Sequence, residues 1–330
     1  MFASGLLPSV IVAAAIGPAL LLLWLVVAAD SRPEPPRVVW VAVGLGALSA
    51  IPVALLERFL LAHLPVAANP WLAAYQFATL LAGIPEETVK VSLIALIALR
   101  ARDFDEPMDG VVYGAAVGLG FAAVENLGYV AGAPNWVSVA IMRAIMSVPF
   151  HGALGAIAGA YIARARFGGA LGANIGDRWR RPRLFLLAWL VPVILHSVFD
   201  GPTMLMHNTK PSILENPEAA AAFFAMIIAA LAAGIGAIVF AVRWARRIAR
   251  RQSVALETKR LPPTHWRSVW AESLVGVGLS FVALALGITG HSGANIVGWI
   301  LMVVAAGVAW RCGRYLNSTA KRRLAAAPSS

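Results

Sequence analysis

Residues 71–100 read WLAAYQFATLLAGIPEETVKVSLIALIALR, an apolar stretch with charged side chains at its centre. About 20 consecutive apolar residues are enough for a helix to span a bilayer, and this stretch is longer. Its middle carries Glu86, Glu87 and Lys90. Ionisable groups at membrane depth cost about 2.5–3.5 kcal/mol each on insertion scales and usually mark a polar functional site. The stretch therefore predicts a membrane-spanning helix that carries part of such a site.

Similar apolar stretches recur along the whole chain. Of its 330 residues, 60% are hydrophobic and only 13% are charged, whereas about 25% are charged in a soluble domain. Backbone polar groups in lipid must be satisfied within their own segment, so we predict an all-α fold, a polytopic transmembrane helical bundle. The predicted spans number about nine, at 5–29, 38–56, 71–100, 110–131, 136–164, 184–207, 219–243, 270–288 and 294–311.

The basic residues predict how this bundle is oriented. Most of the 27 Lys and Arg residues fall in alternate loops and in the C-terminal tail. Because cytoplasmic loops are enriched in Lys and Arg, we predict an N-terminus outside and a C-terminus in the cytoplasm. The same bias accounts for the net charge of +11 without nucleic acid. The lipid bilayer is the expected partner of these cationic loops.

Two further spans carry titratable side chains near their centres. His151 lies near the middle of 136–164 and His196 near the middle of 184–207, at the depth expected for Glu86. Asp200 follows His196 by one helical turn and can fix the tautomer of its ring. Groups that share one depth on three helices predict a single polar site, whereas scattered structural pairs need not share a depth.

The two glutamates of the third span differ in direction. Glu86 and Lys90 are four residues apart and share a helix face, while Glu87 points about 100° away. We therefore expect the two carboxylates to have different roles. Pro85 favours the first turn of a helix, so we also predict a helix break that places both carboxylates at the positive end of a half-helix. A capped kink without chemistry is the structural alternative.

A buried ion pair is predicted between the fourth and fifth spans. Glu125 lies near the outer end of 110–131 and Arg143 near the outer start of 136–164. A tight turn joins these spans, so both side chains should lie roughly 9–10 Å below the outer surface at about 1.5 Å per residue. We predict that they pair, directly or through Asn126 or water, since opposite charges at one depth in lipid should not stay apart.

Several motifs in order carry a resemblance to a known family. They are EExxK at 86–90, Asp109-Gly110 with Tyr113-Gly114, a GxGFAxxEN stretch at 118–126, Arg143 through His151-Gly152, and His196 through Asp200-Gly201. Together they resemble the PrsW family of intramembrane peptidases, akin to the Abi and type II CAAX prenyl endopeptidases. The resemblance covers about 80–202. The CAAX relatives usually have Asn at the position of Asp200, which favours the PrsW branch.

The resemblance implies a mechanism and a substrate. A glutamate activates water with the help of a histidine, and a second histidine stabilises the oxyanion. Carried across, Glu86 is the base and His151 its helper, while His196, oriented by Asp200, serves the oxyanion or the leaving group. The substrate would be a membrane protein, such as a single-pass regulator of the anti-sigma factor type, and the location a bacterial inner membrane. The predicted catalytic residues are Glu86, Glu87, His151, His196 and Asp200, with Lys90, Glu125, Asn126 and Arg143 in support.

Two alternatives stay open at this point. We predict no cofactor, but the same residue types bind zinc, and a metal-dependent version would use Glu86, His151, His196 and Asp200. A non-enzymatic scaffold or a transporter is the other class, although a transporter should show inverted repeats and none is found. The predicted organisation has two N-terminal spans in 1–70, a four-helix catalytic core in 71–207, and three further spans with a basic tail in 208–330.

Overall fold

The computed structural model describes residues 3–30, 32–101, 103–167, 180–208 and 216–256, and every regular element in these ranges is a helix. The predicted all-α class is therefore confirmed for the described part of the chain. The helices are α1 (Ala3–Ala29), α2 (Pro36–His63), α3 (Pro70–Phe77), a π-helical segment (Ala78–Gly83), α4 (Ile84–Arg100), α5 (Pro107–Gly132), α6 (Trp136–Ile145), α7 (Ser147–Phe167), α8 (Arg180–Asn208) and α9 (Pro217–Leu256).

Within the described ranges, six helical stretches are long and apolar enough to cross a membrane: Pro8–Ala29, Pro36–His63, Pro107–Gly132, Trp136–Phe167, Pro182–Met206 and Pro217–Arg247. Each coincides with a predicted span, and the protein is a multi-pass helical membrane protein. The predicted span at 71–100 corresponds to α3, the π-helical segment and α4 in succession. The predicted spans 270–288 and 294–311, with the basic tail, lie outside the described residues. The count of nine and the orientation of the termini stay predictions.

Two helix boundaries differ from the predicted ones in a way that matters for the site. The predicted span 38–56 is part of the longer α2, which ends at His63. The predicted span 136–164 is divided at Met146 into α6 and α7. Arg143 and His151, both within that predicted span, therefore lie on two successive helices.

The third predicted span does not break at Pro85. The chain stays helical through the π-helical segment, in which the N–H of Ile84 bonds to the carbonyl of Thr79. Pro85 lies in the first turn of α4, and Glu86 and Glu87 follow it there. In this wider turn the backbone N–H groups before Pro85 still find carbonyl acceptors. The predicted half-helix with a free positive end is therefore not formed. Segments of π-helix are uncommon and frequently occur at functional sites.

Helix α5 forms the centre of the bundle, and its glycines allow close packing against α7. A Cβ on Gly114 would lie 2.1 Å from the carbonyl oxygen of Gly155, and one on Gly118 would lie 2.3 Å from that of His151. On another face of α5, a Cβ on Gly120 would lie 2.1 Å from the carbonyl oxygen of Val43 in α2. These backbones approach each other more closely than any side chain allows. The packing brings the C-terminal half of α5 next to the start of α7.

Candidate active site

Lys90 lies at the centre of a buried polar cluster between α4, α7 and α8. Its Nζ is 2.7 Å from Oε2 of Glu86 and 2.9 Å from Oε1 of Glu87. The same Nζ is 3.0 Å from Nδ1 of His151 on α7. All four side chains are buried. An ammonium has three N–H donors, and these three acceptors use all of them. The positive charge of Lys90 thus compensates negative charge on two carboxylates that are buried away from solvent.

His151 connects this cluster to α5 and α6. Its Nε2 is 2.9 Å from Oε2 of Glu125 on α5. The same Glu125 oxygen is 2.7 Å from Nη2 of Arg143 on α6, and Nε of Arg143 donates to Oδ1 of Asn126. The predicted Glu125–Arg143 pair is therefore confirmed. Glu125 also contacts His151, so the ion pair reaches the imidazole directly rather than only holding its helix.

His196 lies between two carboxylates. Its Nδ1 is 2.8 Å from Oε1 of Glu87, and its Nε2 is 3.2 Å from Oδ2 of Asp200 one turn further along α8. The contact with Asp200 was predicted from the four-residue spacing, whereas the contact with Glu87 was not. Because a carboxylate oxygen faces each ring nitrogen, the orientation of the imidazole is fixed.

Glu86 and Glu87 have different surroundings. Oε2 of Glu86 is 3.9 Å from Nδ1 of His151, and its Oε1 is 3.9 Å from Nε2 of His196. Such separations are too long for direct hydrogen bonds. Nζ of Lys90, bonded to both atoms, bridges the first pair, whereas a water molecule beside the second pair can bridge it. Oε1 of Glu87, by contrast, is shared between Lys90 and His196. The expected difference between the two glutamates is present, although Lys90 contacts both and not Glu86 alone.

Aromatic rings enclose the cluster on two sides. The Nζ of Lys90 lies 4.1 Å from the centroid of the Phe121 ring. The ring of Phe150 stands edge-on to His196 with centroids 6.1 Å apart, and it stacks on Phe199. These rings keep water from the charged groups and strengthen the electrostatic interactions among them. None was a predicted site residue, although Phe121 lies within the GxGFAxxEN stretch and could have been found there.

All the predicted site residues belong to one contact network. In order of contact it runs through Asp200, His196, Glu87, Lys90, Glu86, His151, Glu125, Arg143 and Asn126. Five helices contribute, and the sequence positions are more than 100 residues apart at the extremes. Contact alone does not decide the roles of these residues.

The cluster also fits a metal ion by its chemistry. Four buried side chains each offer one ligand atom, all within 4.8 Å of one another: Glu86, Glu87, His151 and His196. Carboxylate oxygen and imidazole nitrogen are ligands of zinc. Oε2 of Glu87 is buried and has no hydrogen-bond partner in the part of the chain that the structure describes, as a free ligand atom would. The set differs from the predicted one because it contains Glu87 and not Asp200. Lys90 competes with a metal, since its ammonium holds three of the four side chains.

Fold and site together describe a polytopic helical membrane protein with a buried network of carboxylates, histidines and one lysine. A buried cluster of titratable side chains in mutual contact, enclosed between helices, is characteristic of an enzyme active site. A family model described as "PrsW family intramembrane metalloprotease" matches residues 34–233. This match covers more than half of the chain and includes the whole network, so the chain belongs to the PrsW family.

Individual relatives support the same family. The chain is 32% identical over 161 residues to "Protease PrsW" of Halalkalibacterium halodurans, which covers 49% of this chain and 67% of the relative. It is 35% identical over 156 residues to that of Geobacillus kaustophilus, covering 47% and 62%, and 29% identical over 166 residues to that of Clostridioides difficile, covering 50% and 66%. The chain thus spans about two thirds of the length of these relatives. No solved structure matches it.

Proposed function

We propose that this protein is a glutamate-dependent intramembrane peptidase that hydrolyses peptide bonds of membrane-protein substrates. The observation that carries the proposal is the position of Glu86. Lys90 anchors one of its oxygens at 2.7 Å, and the carboxylate faces His151 and His196 across gaps of 3.9 Å each. A buried carboxylate next to two imidazoles has the parts needed to activate a water molecule bound beside it.

Glu86 acts as the general base in this proposal. It accepts a proton from a water molecule bound at its Oε1, the oxygen that Lys90 does not hold, and the water oxygen attacks the carbonyl carbon of the scissile peptide. Lys90 restrains the carboxylate, and Glu125 orients His151 through Nε2. General base catalysis of this kind contributes about 10²–10⁴-fold. The attack gives a tetrahedral intermediate with negative charge on the former carbonyl oxygen.

His196 stabilises that oxyanion. In this proposal the oxyanion takes the place of Asp200 as acceptor of the N–H at Nε2, while Glu87 keeps the ring in position from Nδ1. A single donor of this type is worth about 10²–10³ in kcat. The proton held by Glu86 then passes to the amide nitrogen, the C–N bond breaks, and a carboxylic acid and an amine are released. Glu87 is in this account a positioning residue for His196.

A zinc-dependent version is the second candidate, favoured by the family description and by the four buried donors. Glu86, Glu87, His151 and His196 would hold the ion. Zinc, when bound, would polarise the substrate carbonyl and lower the pKa of a coordinated water. Lys90 would then have to release its acceptors and keep only the neighbouring aromatic contact.

The substrate and the location follow from the family. We infer that the substrate is a single-pass membrane regulator, such as an anti-sigma factor, and that the protein resides in a bacterial inner membrane, because the named relatives are bacterial. The catalytic core is 71–207, since every residue of the network lies within it. The flanking regions 1–70 and 208–330 would serve substrate access and anchoring.

The test is Glu86→Gln, which keeps the shape of the side chain but cannot accept the proton. Membrane fragments from cells with the wild-type protein and with the variant are compared by proteomics, and cleavage of a captured substrate is then measured with purified protein. We expect cleavage to fall by about 10²-fold or more while the melting temperature is kept. Glu218→Gln is the control, because Glu218 is exposed at the start of α9.

Two outcomes would change the proposal. Cleavage that persists in Glu86→Gln at the wild-type rate would end the glutamate mechanism, and identical fragments in all cells would favour a scaffold. Loss of cleavage on chelation, restored by zinc alone, would replace the metal-free version by the zinc version with the same residues.

A further inference from the structure

A second buried polar cluster lies where the ends of α1, α2 and α5 meet. Asp30 and Glu34 lie between α1 and α2, and Asp109 lies in the first turn of α5. Their exposed fractions are 6%, 5% and 0%, and each offers an oxygen within 4.8 Å of the others. On α5, Asp109 is about 24 Å from Glu125 at 1.5 Å per residue. The cluster is therefore separate from the active site.

The hydrogen bonds of Asp109 leave one of its oxygens unused. Oδ2 accepts the backbone N–H groups of Asp105 at 2.8 Å and Glu106 at 2.6 Å. Oδ1 is buried, and no N–H or hydroxyl donor among the described residues reaches it, while the carboxyl group of Glu34 lies within hydrogen-bonding reach of the Asp109 side chain. A fully buried carboxylate oxygen that lacks a donor is costly unless a cation or a proton is supplied. The buried Oδ1 of Asp109 therefore requires a positive charge, and two further carboxylates lie next to it.

The guanidinium groups of Arg32 and Arg37 bind carboxylates outside the cluster, while the backbone N–H of Arg32 donates to Oδ1 of Asp30. Arg32 pairs with Glu106, and Arg37 lies 3.2 Å from Asp103. Glu34, for its part, accepts the hydroxyl of Tyr113. The phenolic oxygen keeps its lone pairs and can serve as a further oxygen ligand.

We propose that Asp30, Glu34 and Asp109 bind a hard divalent cation of the Ca²⁺ or Mg²⁺ class. The donor set consists of carboxylate oxygens without nitrogen or sulfur, which is the set that these ions prefer. It differs in this respect from the carboxylate–imidazole set around Lys90. The bound cation joins the connection between α1 and α2 to the first turn of α5. Because α5 carries the glycine face against α7 and the Glu125 contact to His151, the cation stabilises the helix around which the active site is built.

A shared proton is the competing way to relieve the repulsion among these carboxylates. Burial, with the charge of Asp109 beside it, raises the pKa of Glu34 from its ordinary 4.5 to about 10. Without a cation the cluster can therefore retain a proton at neutral pH. The experiment must separate a cluster that takes up a cation from one that only keeps this proton.

The experiment uses the full chain purified in detergent and freed of divalent ions with EDTA. CaCl₂, MgCl₂ or MnCl₂ is then added, binding is measured by equilibrium dialysis, and unfolding is followed by tryptophan fluorescence. We expect one bound cation per chain at this cluster and a higher melting temperature. At a cation concentration 100 times the Kd, the ratio of folded to unfolded protein should rise about a hundredfold.

Variants locate the cation. Glu34→Gln and Asp109→Asn should each lose the thermal shift. If Asp109→Asn fails to fold, Glu34→Gln still tests the site, because it leaves the backbone contacts of Asp109 in place. Asp103→Asn, at the same end of the bundle but outside the cluster, should keep the shift. Glu86→Gln should keep it as well, which separates this site from the proposed active site. The proposal fails if none of the three cations binds the wild-type protein, or if both cluster variants respond like Asp103→Asn. It also fails if the melting temperature depends on pH but not on any cation.

Discussion

The contact between α5 and α7 gives a quantitative prediction for Gly118→Ala. The new Cβ would lie 2.3 Å from the carbonyl oxygen of His151, whereas ordinary contact begins at 3.4 Å. The two helices must therefore move apart locally by about 1 Å, and the backbone of His151 is the part that is displaced. Overpacking of this kind costs about 1–3 kcal/mol. A misplacement of about 1 Å at a catalytic group can cost about 10²-fold in rate.

Two glycines of the same helix serve as matched controls. A Cβ on Gly110 would lie 2.4 Å from the carbonyl oxygen of Gly159, a similar clash about 12 Å further from the site at 1.5 Å per residue. Gly128 has nothing within 4 Å of its added Cβ. Gly110→Ala should thus lose stability with a smaller loss of kcat. Gly128→Ala should be neutral or gain about 0.4–1 kcal/mol, because alanine restricts the unfolded chain.

The assay compares melting temperature and kcat of the three variants in detergent. The expected order of kcat is Gly128→Ala above Gly110→Ala above Gly118→Ala, with similar melting temperatures for the last two. The reasoning would be refuted if Gly118→Ala were as active and as stable as Gly128→Ala. Equal loss of kcat in Gly110→Ala and Gly118→Ala would show instead that the packing matters only for stability and not for the position of His151.

Three further substitutions probe the network itself. Lys90→Met leaves the two carboxylates that it joins without a cation, so we expect the protein to lose about 3–5 kcal/mol of stability, seen as a lower melting temperature and poor recovery from membranes. Arg143→Ala leaves the charge of Glu125 without its arginine, so both stability and cleavage should fall. A variant that stays stable and only binds substrate more weakly would mean that Arg143 binds the substrate instead. Asp200→Asn keeps an acceptor for His196 but removes its charge. The loss of about 1 kcal/mol between a charged and a neutral hydrogen bond predicts roughly a fivefold lower kcat at unchanged stability, and a complete loss would assign Asp200 a direct part in the reaction.

The depth argument explains why much of the network could be predicted. A helix rises 1.5 Å per residue, so positions along a span translate into depth once its ends are known. Charged groups at equal depth in lipid have few partners other than each other. Glu125 with Arg143 was accessible in this way, and His196 with Asp200 was accessible from the four-residue spacing on one helix. Neither inference needed the angles between helices.

Contacts that depend on how helices pack were not accessible. The contact of Glu87 with His196 requires the distance and rotation between α4 and α8, which no residue spacing provides. The π-helical segment leaves no periodic signal, because its apolar residues read like those of an α-helix. The acidic cluster was not accessible either. Asp30 and Glu34 lie in the connection between α1 and α2, and no residue spacing indicates that the first turn of α5 brings Asp109 next to them.

The net charge of the network distinguishes the metal-free mechanism from the zinc-dependent one. Four carboxylates, those of Glu86, Glu87, Glu125 and Asp200, face two permanent cations, Lys90 and Arg143. Two negative charges remain, and a bundle in lipid cannot leave them uncompensated without a large cost. Two protons held within the network would complete the balance in the metal-free version. One zinc ion bound to neutral imidazoles would complete it in the other, because histidine binds zinc only in its neutral form. The two versions thus exclude each other at the same residues. Chelation removes the compensating charge in the zinc version and leaves it unchanged in the metal-free version.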